Sequence, residues 1–172
     1  MPPSKKWPHC PPPHNFVPAG VVTAAELQQE PPPFIARIRA TGARAEGLRY
    51  ERKGQRYFEA TYPEYVAGPW IRFRTAGAWR WCQPDGFFLG LRRGLITVVE
   101  FKLQHTSAAW WQVRHLYEPV LASLFGVDLW QFAAIEVVSW CDPHTAFPEH
   151  FTFLKDPSAA RPGSFNVHIW RG

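Results

Sequence analysis

The apolar positions change their spacing along the chain, and the changes mark out its elements. From about residue 34 or 37 to residue 60 the spacing is helical, with Leu48, Glu51, Gln55, Phe58 and Tyr62 on one inward stripe. Gly42, Gly47 and Gly54 weaken this helix. A carboxylate in the middle of its buried stripe demands a reason. Pro63 and Gly68-Pro69 read as a loop, after which the period becomes two. Residues 70–74 and 78–82 read as strands about a turn at Thr75-Ala76-Gly77. Residues 86–91 form another, turning at Arg92-Arg93-Gly94. Residues 95–103 are β-branched and nearly all apolar, as expected of a central strand covered on both faces.

Thr106 or Ser107 can cap a second helix. Its stripe runs through Trp110, Val113, Leu116 or Tyr117, Val120, Leu121 and Leu124 to Gly126, and Pro119 must kink or split it. Residues 130–140 form a further apolar strand, and 165–170 a last one. Residues 23–30 read as a short helix stopped by Pro31-Pro32-Pro33. The order helix, antiparallel strands, helix, strand predicts an α/β fold with a mixed sheet flanked by helices. We divide the chain into a Pro-rich N-terminal arm (1–33), a core (34–140) and a C-terminal extension packed on the core (141–172).

Composition narrows the class. With 172 residues, 46% hydrophobic and 19% charged, the chain suits one globular domain. Its three cysteines are too few and too scattered for a disulfide framework and fit a reducing cytoplasm. The N-terminus has no apolar signal-peptide core, and no apolar run has the length of a membrane span. The expectation is a soluble protein of the cytoplasm, or of a phage particle. The charge of +5 is uneven: residues 1–126 hold 16 Lys and Arg against 9 Asp and Glu, residues 127–172 hold 3 against 5. The stretch Arg37, Arg39, Arg44, Arg49, Arg52, Lys53, Arg56 suits a polyanion or a solvated helix face about equally.

The chemistry lies in three charges on two consecutive strands. Glu100 and Lys102 share a strand face, and hairpin geometry brings Asp85 opposite residue 100, 101 or 102. Two carboxylates at a cross-strand separation of about 5 Å repel unless a cation or proton lies between them. A hard divalent ion takes such oxygens, and Lys102 can hold an attacking water or offset charge developing on a phosphate. A plain salt bridge from Lys102 to Asp85 or Glu100 would leave the other carboxylate unpaired near a buried strand, which is costly.

Pro84-Asp85, a fourteen-residue gap and Glu100-Phe101-Lys102 resemble the PD-(D/E)xK motif of the restriction-endonuclease-like nucleases. The resemblance covers residues 37–140. It implies that family's core of a leading helix, an antiparallel meander, a second helix and a further strand. It also implies Mg²⁺, or Mn²⁺ in its place, held by Asp85, Glu100 and the main-chain carbonyl of Phe101, with Lys102 serving the water. Many members carry a first-helix Glu that completes the metal site, and Glu51 matches it, with Glu46 and Glu59 as fallbacks. RecB-like members carry Gln-x-x-x-Tyr on the second helix; here Gln112 and Tyr117 are one residue further apart. The implied activity is DNA phosphodiester hydrolysis leaving 5′-phosphate and 3′-hydroxyl ends.

Arg49, Arg52, Arg72, Arg74, Arg92 and Arg93, with Gln112, are the candidate DNA contacts, and Arg80 is read on the solvent side with Arg72 and Arg74. Trp79, Trp81, Trp110 and Trp111 read as mostly core, with base stacking as the alternative. His105 reads as a phosphate contact or a surface histidine. Cys141, His144, His150 and His168 have spacing too loose for a zinc site. No phosphate-cradling loop is present, so no nucleotide cofactor is expected. The size suggests work inside a DNA-processing or virion assembly, of a phage or mobile element. Two other readings stay open: a non-catalytic DNA-binding or assembly component such as a phage head or tail completion protein, and a Holliday-junction resolvase.

Overall fold

The two most apolar segments become the two central strands of a six-stranded sheet. They are β6 (Leu95–Gln104) and β7 (Gln131–Trp140), which pair in parallel. β5 (Gly86–Gly90) runs antiparallel on the other side of β6, with β2 (Tyr65–Ala67) antiparallel beyond it. β9 (Phe165–Ile169) lies parallel beside β7, and β8 (Phe151–Phe153) closes that edge, giving the order β2-β5-β6-β7-β9-β8. This computed structural model describes residues 11–35, 39–126 and 128–172. The first ten residues of the arm, with His9 and Cys10, and Arg37 of the basic stretch lie outside the described residues. The α/β class and mixed sheet are as the sequence predicts.

The sheet is covered on both faces. On one lies α1 (Gly42–Thr61), whose Phe58 is buried against Tyr65, Phe88, Val99 and Phe101. Gly54 makes the close approach possible: a Cβ there would stand 2.3 Å from the Phe101 ring. The other face receives α2 (Ser107–Gln112), a π-helical turn at Val113–Tyr117 and α3 (Glu118–Phe125), whose Val113, Tyr117, Val120 and Leu121 pack on Ile96, Val98, Ala134 and Val138. Pro119 has no N–H to give the His115 carbonyl, the partner an ordinary residue would have in an α-helix. That carbonyl accepts instead from Ala19 N at 2.8 Å, so the helix break docks the N-terminal arm.

Three expectations are corrected. Residues 23–30 are not helical: Val22–Gln28 is a strand, β1. It pairs with β3 (Trp70–Thr75), which pairs with β4 (Ala78–Cys82), and the three form a separate sheet, β1-β3-β4. The 70–82 hairpin is therefore outside the central sheet, and its expected place is taken by β2, from a segment read as loop. The first helix also begins later than expected, at Gly42. β8 and β9 carry the C-terminal extension into the central sheet. Among the described residues no helix is long and apolar enough to cross a membrane.

Candidate active site

The site is built where β6 outruns its antiparallel neighbour. Gly90 pairs with Leu95 across the four-residue turn and Gly86 with Val99, so β5 stops one residue short of Glu100. This is the even-numbered turn that sets Asp85 against Glu100. Asp85 takes over where the ladder ends: its Oδ2 accepts the Phe101 N–H at 2.7 Å. Two donors fix its main chain in turn, Gln55 Nε2 at 2.7 Å and Tyr65 OH at 3.1 Å to the Asp85 carbonyl. Gly86 leaves room for that phenol, since a Cβ there would meet Tyr65 OH at 2.2 Å. The gap also lets α1 reach around the strand, and Gln55 touches Glu51 Oε1 at 3.4 Å.

Glu100 is 1% exposed, and its Oε1 lies 2.5 Å from Lys102 Nζ. Its Oε2 is buried and has no hydrogen-bond partner. The salt bridge foreseen as the plain alternative thus forms, and it leaves half of one carboxylate and all of two others uncompensated by Lys102 contacts. Burial, then Glu100 and Glu51, push the Asp85 carboxyl well above its ordinary range against the opposing pull of Lys102 and the Phe101 N–H. Glu100 is raised by burial, with Lys102 offsetting and Glu51 and Glu136 adding. Burial raises Glu51 too, against Lys102 and Arg52. Lys102 is itself raised: burial works against its charge, and Glu100 and Asp85 outweigh burial. The place therefore holds a protonated lysine and more carboxylates than it neutralises, the electrostatics that call for a cation or for shared protons.

Asp85, Glu100 and Glu51 are carboxylates of the kind a hard divalent ion takes, and the orphaned Glu100 Oε2 is an oxygen free to gain a partner. Among the described residues no group of three His, Cys, Asp or Glu side chains is closed up enough to hold a metal by itself. Mg²⁺ does not require one, because it typically takes one or two carboxylates and keeps waters and phosphate oxygens. Between Arg44, Gly47 and Glu51 of α1 and Lys102 and Gln104 of β6 lies an open groove of about 550 Å³, onto which Glu51 and Lys102 open.

Around this centre the structure adds residues that the sequence marked faintly. Glu136 stands in register with Glu100 on β7 and is fully buried. It lies 2.5 Å from His105 Nδ1 and accepts from Thr106 N at 3.3 Å, tying the end of β6 to the start of α2. His105 is thus no surface residue; its ring packs on Phe147 with centroids 3.6 Å apart. A lone carboxylate in the apolar run 133–138 was the available signal for Glu136. Tyr117 lies near the cluster: burial, then Glu100 and Asp85, raise its hydroxyl. The five-residue step from Gln112 to Tyr117 falls on the π-turn, whose hydrogen bonds span five residues. Gln112 Oε1 is buried with no hydrogen-bond partner.

Other candidates are not brought together. Glu46 and Glu59 are exposed, away from the inward stripe that carries Glu51. Arg49 and Arg52 are exposed on α1, and Arg52 is close enough to act on Glu51. Arg72 and Arg74 lie on the separate sheet. Arg92 and Arg93 sit at the far end of the β5-β6 hairpin from Asp85, and Arg93 donates to the Ser158 carbonyl at 2.9 Å. Arg80 is not on the solvent side with Arg72 and Arg74: it lies over the Phe73 ring and donates to the Pro18 and Val17 carbonyls. Cys141 and His168 make separate main-chain contacts, to Asp142 and Leu154. Compared with known proteins, the chain matches no family model, no curated protein and no solved structure.

Proposed function

We propose that this protein is a Mg²⁺-dependent nuclease that hydrolyses DNA phosphodiester bonds, of the PD-(D/E)xK kind. The observation that carries the reading is the convergence of Asp85, Glu100 and Glu51 on Lys102, with Glu100 Oε2 buried and unpartnered, beside an open groove. A purely structural ion pair needs one carboxylate, and burying two more beside it costs stability without return.

Each residue has a task. Asp85, its main chain clamped by Gln55 and Tyr65, presents a carboxylate from the end of β5. Glu100 presents one from the sheet, and Glu51 brings a third around the edge of β6. A bound divalent ion would polarise the scissile phosphate and lower the pKa of a bound water. Lys102 keeps its proton, since its pKa is raised. It therefore acts as a cation that orients the attacking water and offsets charge on the phosphate, and does not act as a base. Water adds its oxygen to phosphorus and loses a proton to solvent, the bond to the 3′-oxygen breaks and that oxygen takes a proton from solvent, and the ends are a 5′-phosphate and a 3′-hydroxyl. Arg44 at the groove and Arg49 and Arg52 on α1 supply backbone contacts.

The test is cleavage of single-stranded, duplex, nicked and branched DNA in Mg²⁺, Mn²⁺ or EDTA, with wild type, Asp85→Ala and Lys102→Ala. We expect metal-dependent cutting that both substitutions abolish. Preference for a four-way junction would identify a resolvase. Binding without cutting under either metal would overturn the enzyme reading in favour of an assembly component.

A further inference from the structure

We propose that the outward face of the β1-β3-β4 sheet is a stacking platform for the unpaired bases of single-stranded DNA. As a statement of what this face delivers to Asp85 and Glu100 it rests on the nuclease reading; as a statement of binding it does not.

Among the described residues the sheet has one face in the core and one turned outward. Ile71, Phe73, Thr75 and Cys82 are buried in the core, so the residues alternating with them point outward. These are Trp70, Arg72 and Arg74 on β3 and Trp79 and Trp81 on β4. Arg72 is directly across from Trp81 and Arg74 from Trp79, which puts all five on one surface. The Arg72 guanidinium lies 4.1 Å over the Trp79 ring. Trp79 is 39% exposed, an uncommon amount for the largest apolar side chain. Phe34 meets the Trp81 ring edge-on at 6.4 Å and extends the aromatic surface at its rim.

Charge selects the occupant. Among the described residues neither Arg72 nor Arg74 forms an ion pair, although Glu26 stands across β1 from Arg72. Indoles with guanidinium groups between them match a chain that alternates flat bases with phosphates, and base–aromatic stacking tolerates any sequence. Duplex bases offer no free ring face, so the surface distinguishes unpaired from paired DNA. Continuity with the site supports the same occupant: Trp81 is four residues before Asp85, a span of at most about 14 Å even if fully extended.

The test is binding in EDTA, where no cutting interferes, of a labelled strand of about 16 nucleotides and of the same sequence as duplex. Wild type should bind the single strand more tightly, with quenching of tryptophan fluorescence. Trp79→Ala and Trp81→Ala should each weaken single-strand binding at least about fivefold and leave duplex binding unchanged. Trp79→Phe, which keeps a ring and the fold, should retain most of the affinity, and Arg74→Gln should flatten the salt dependence. Equal affinity for strand and duplex would overturn the proposal, as would alanine variants that bind like wild type. So would displacement of the strand by a proline-rich peptide of residues 1–13 that quenches the same tryptophans. Single-strand binding with no cutting in Mg²⁺ would support the platform and remove the nuclease reading. Cutting unaffected by Trp79→Ala and Trp81→Ala would do the reverse.

Discussion

At the scale of single residues, the charged cluster was legible where charge interrupts an apolar strand. Asp85, Glu100 and Lys102 stand out because their neighbours are nearly all uncharged, and Glu51 because it breaks a buried stripe. What stayed hidden were groups with an ordinary local reason to be where they are: Gln55 and Tyr65, which clamp the Asp85 carbonyl, look like routine stripe and loop residues. Glu51 can be told from its neighbours by experiment. Glu51→Ala should lower cleavage by about a hundredfold, while Glu46→Ala and Glu59→Ala, both exposed, should stay near wild type in the same assay. Loss of activity in Glu59→Ala with retention in Glu51→Ala would move the site along α1.

The crowded carboxylates also set a pH dependence. Asp85, Glu100 and Glu51 all have folded-state pKa values raised above their ordinary ones, so the folded protein holds more protons than the unfolded chain. Their contribution to stability is full below the ordinary carboxylate range and is lost as pH rises through the raised values. Glu118, which burial pushes up to about 7 despite Arg114, acts in the same direction. Without divalent ions the thermal midpoint should therefore be higher near pH 5 than near pH 8. Mg²⁺ should raise it chiefly at the higher pH, where the carboxylates need a counter-charge. Glu118→Gln should flatten part of the slope and leave the Mg²⁺ effect in place. A midpoint that climbs with pH in EDTA, or ignores Mg²⁺ at pH 8, would remove the cation from the account.

At the scale of elements, helix and strand existence was readable for the strongly periodic segments and failed where tertiary pairing overrode propensity. Residues 22–28 contain Ala, Glu, Leu and Gln, good helix formers, yet they form a strand because the edge of β3 takes them as a partner. The split into two sheets also had a signal. Residues 70–74 alternate apolar with arginine, the pattern of a sheet with one wet face, whereas 95–103 are apolar throughout, the pattern of one covered on both. The seating of α1 depends on one atom's absence. Gly54→Ala places a Cβ within 2.3 Å of the Phe101 ring, and overpacking of that kind costs about 1–3 kcal/mol against about 1 kcal/mol gained in helix propensity. At Gly47, where nothing lies within 4 Å, the same change meets no clash. Gly47→Ala should thus raise the thermal midpoint. Gly54→Ala should lower it, together with cleavage, since α1 carries Glu51.

At the scale of the whole molecule, the parting of core from extension at residue 140 follows the resemblance, whereas the sheet runs across it. β9 is the partner that β7 has on its second side, and Phe165 and Val167 are buried with Val138 and Phe147 in one cluster. Cations of the core hold the extension down: Arg93 donates to Ser158 and Arg114 pairs with Glu149, which also accepts from Trp110. The strand at 165–170 and the packing of the extension on the core were readable, but β8 and the side-by-side parallel pairing of β9 with β7 were not, because β8 has only three residues and prolines break up the segment between the two strands. A chain ending at Trp140 would expose the N–H and C=O groups along one side of β7, an apolar edge open to other chains. It would also strip the cover from Val137 and Val138. Such a chain should aggregate or show no cooperative thermal transition, whereas the full chain should unfold in one step. Phe165→Ala, which only hollows the same contact, should cost about 3–5 kcal/mol in denaturant titration. A soluble, cooperatively unfolding 1–140 chain would mean that the sheet is complete at β7 and that β8 and β9 merely rest against it. Their hydrogen-bonded pairing and buried aromatic rings argue that the sheet requires them.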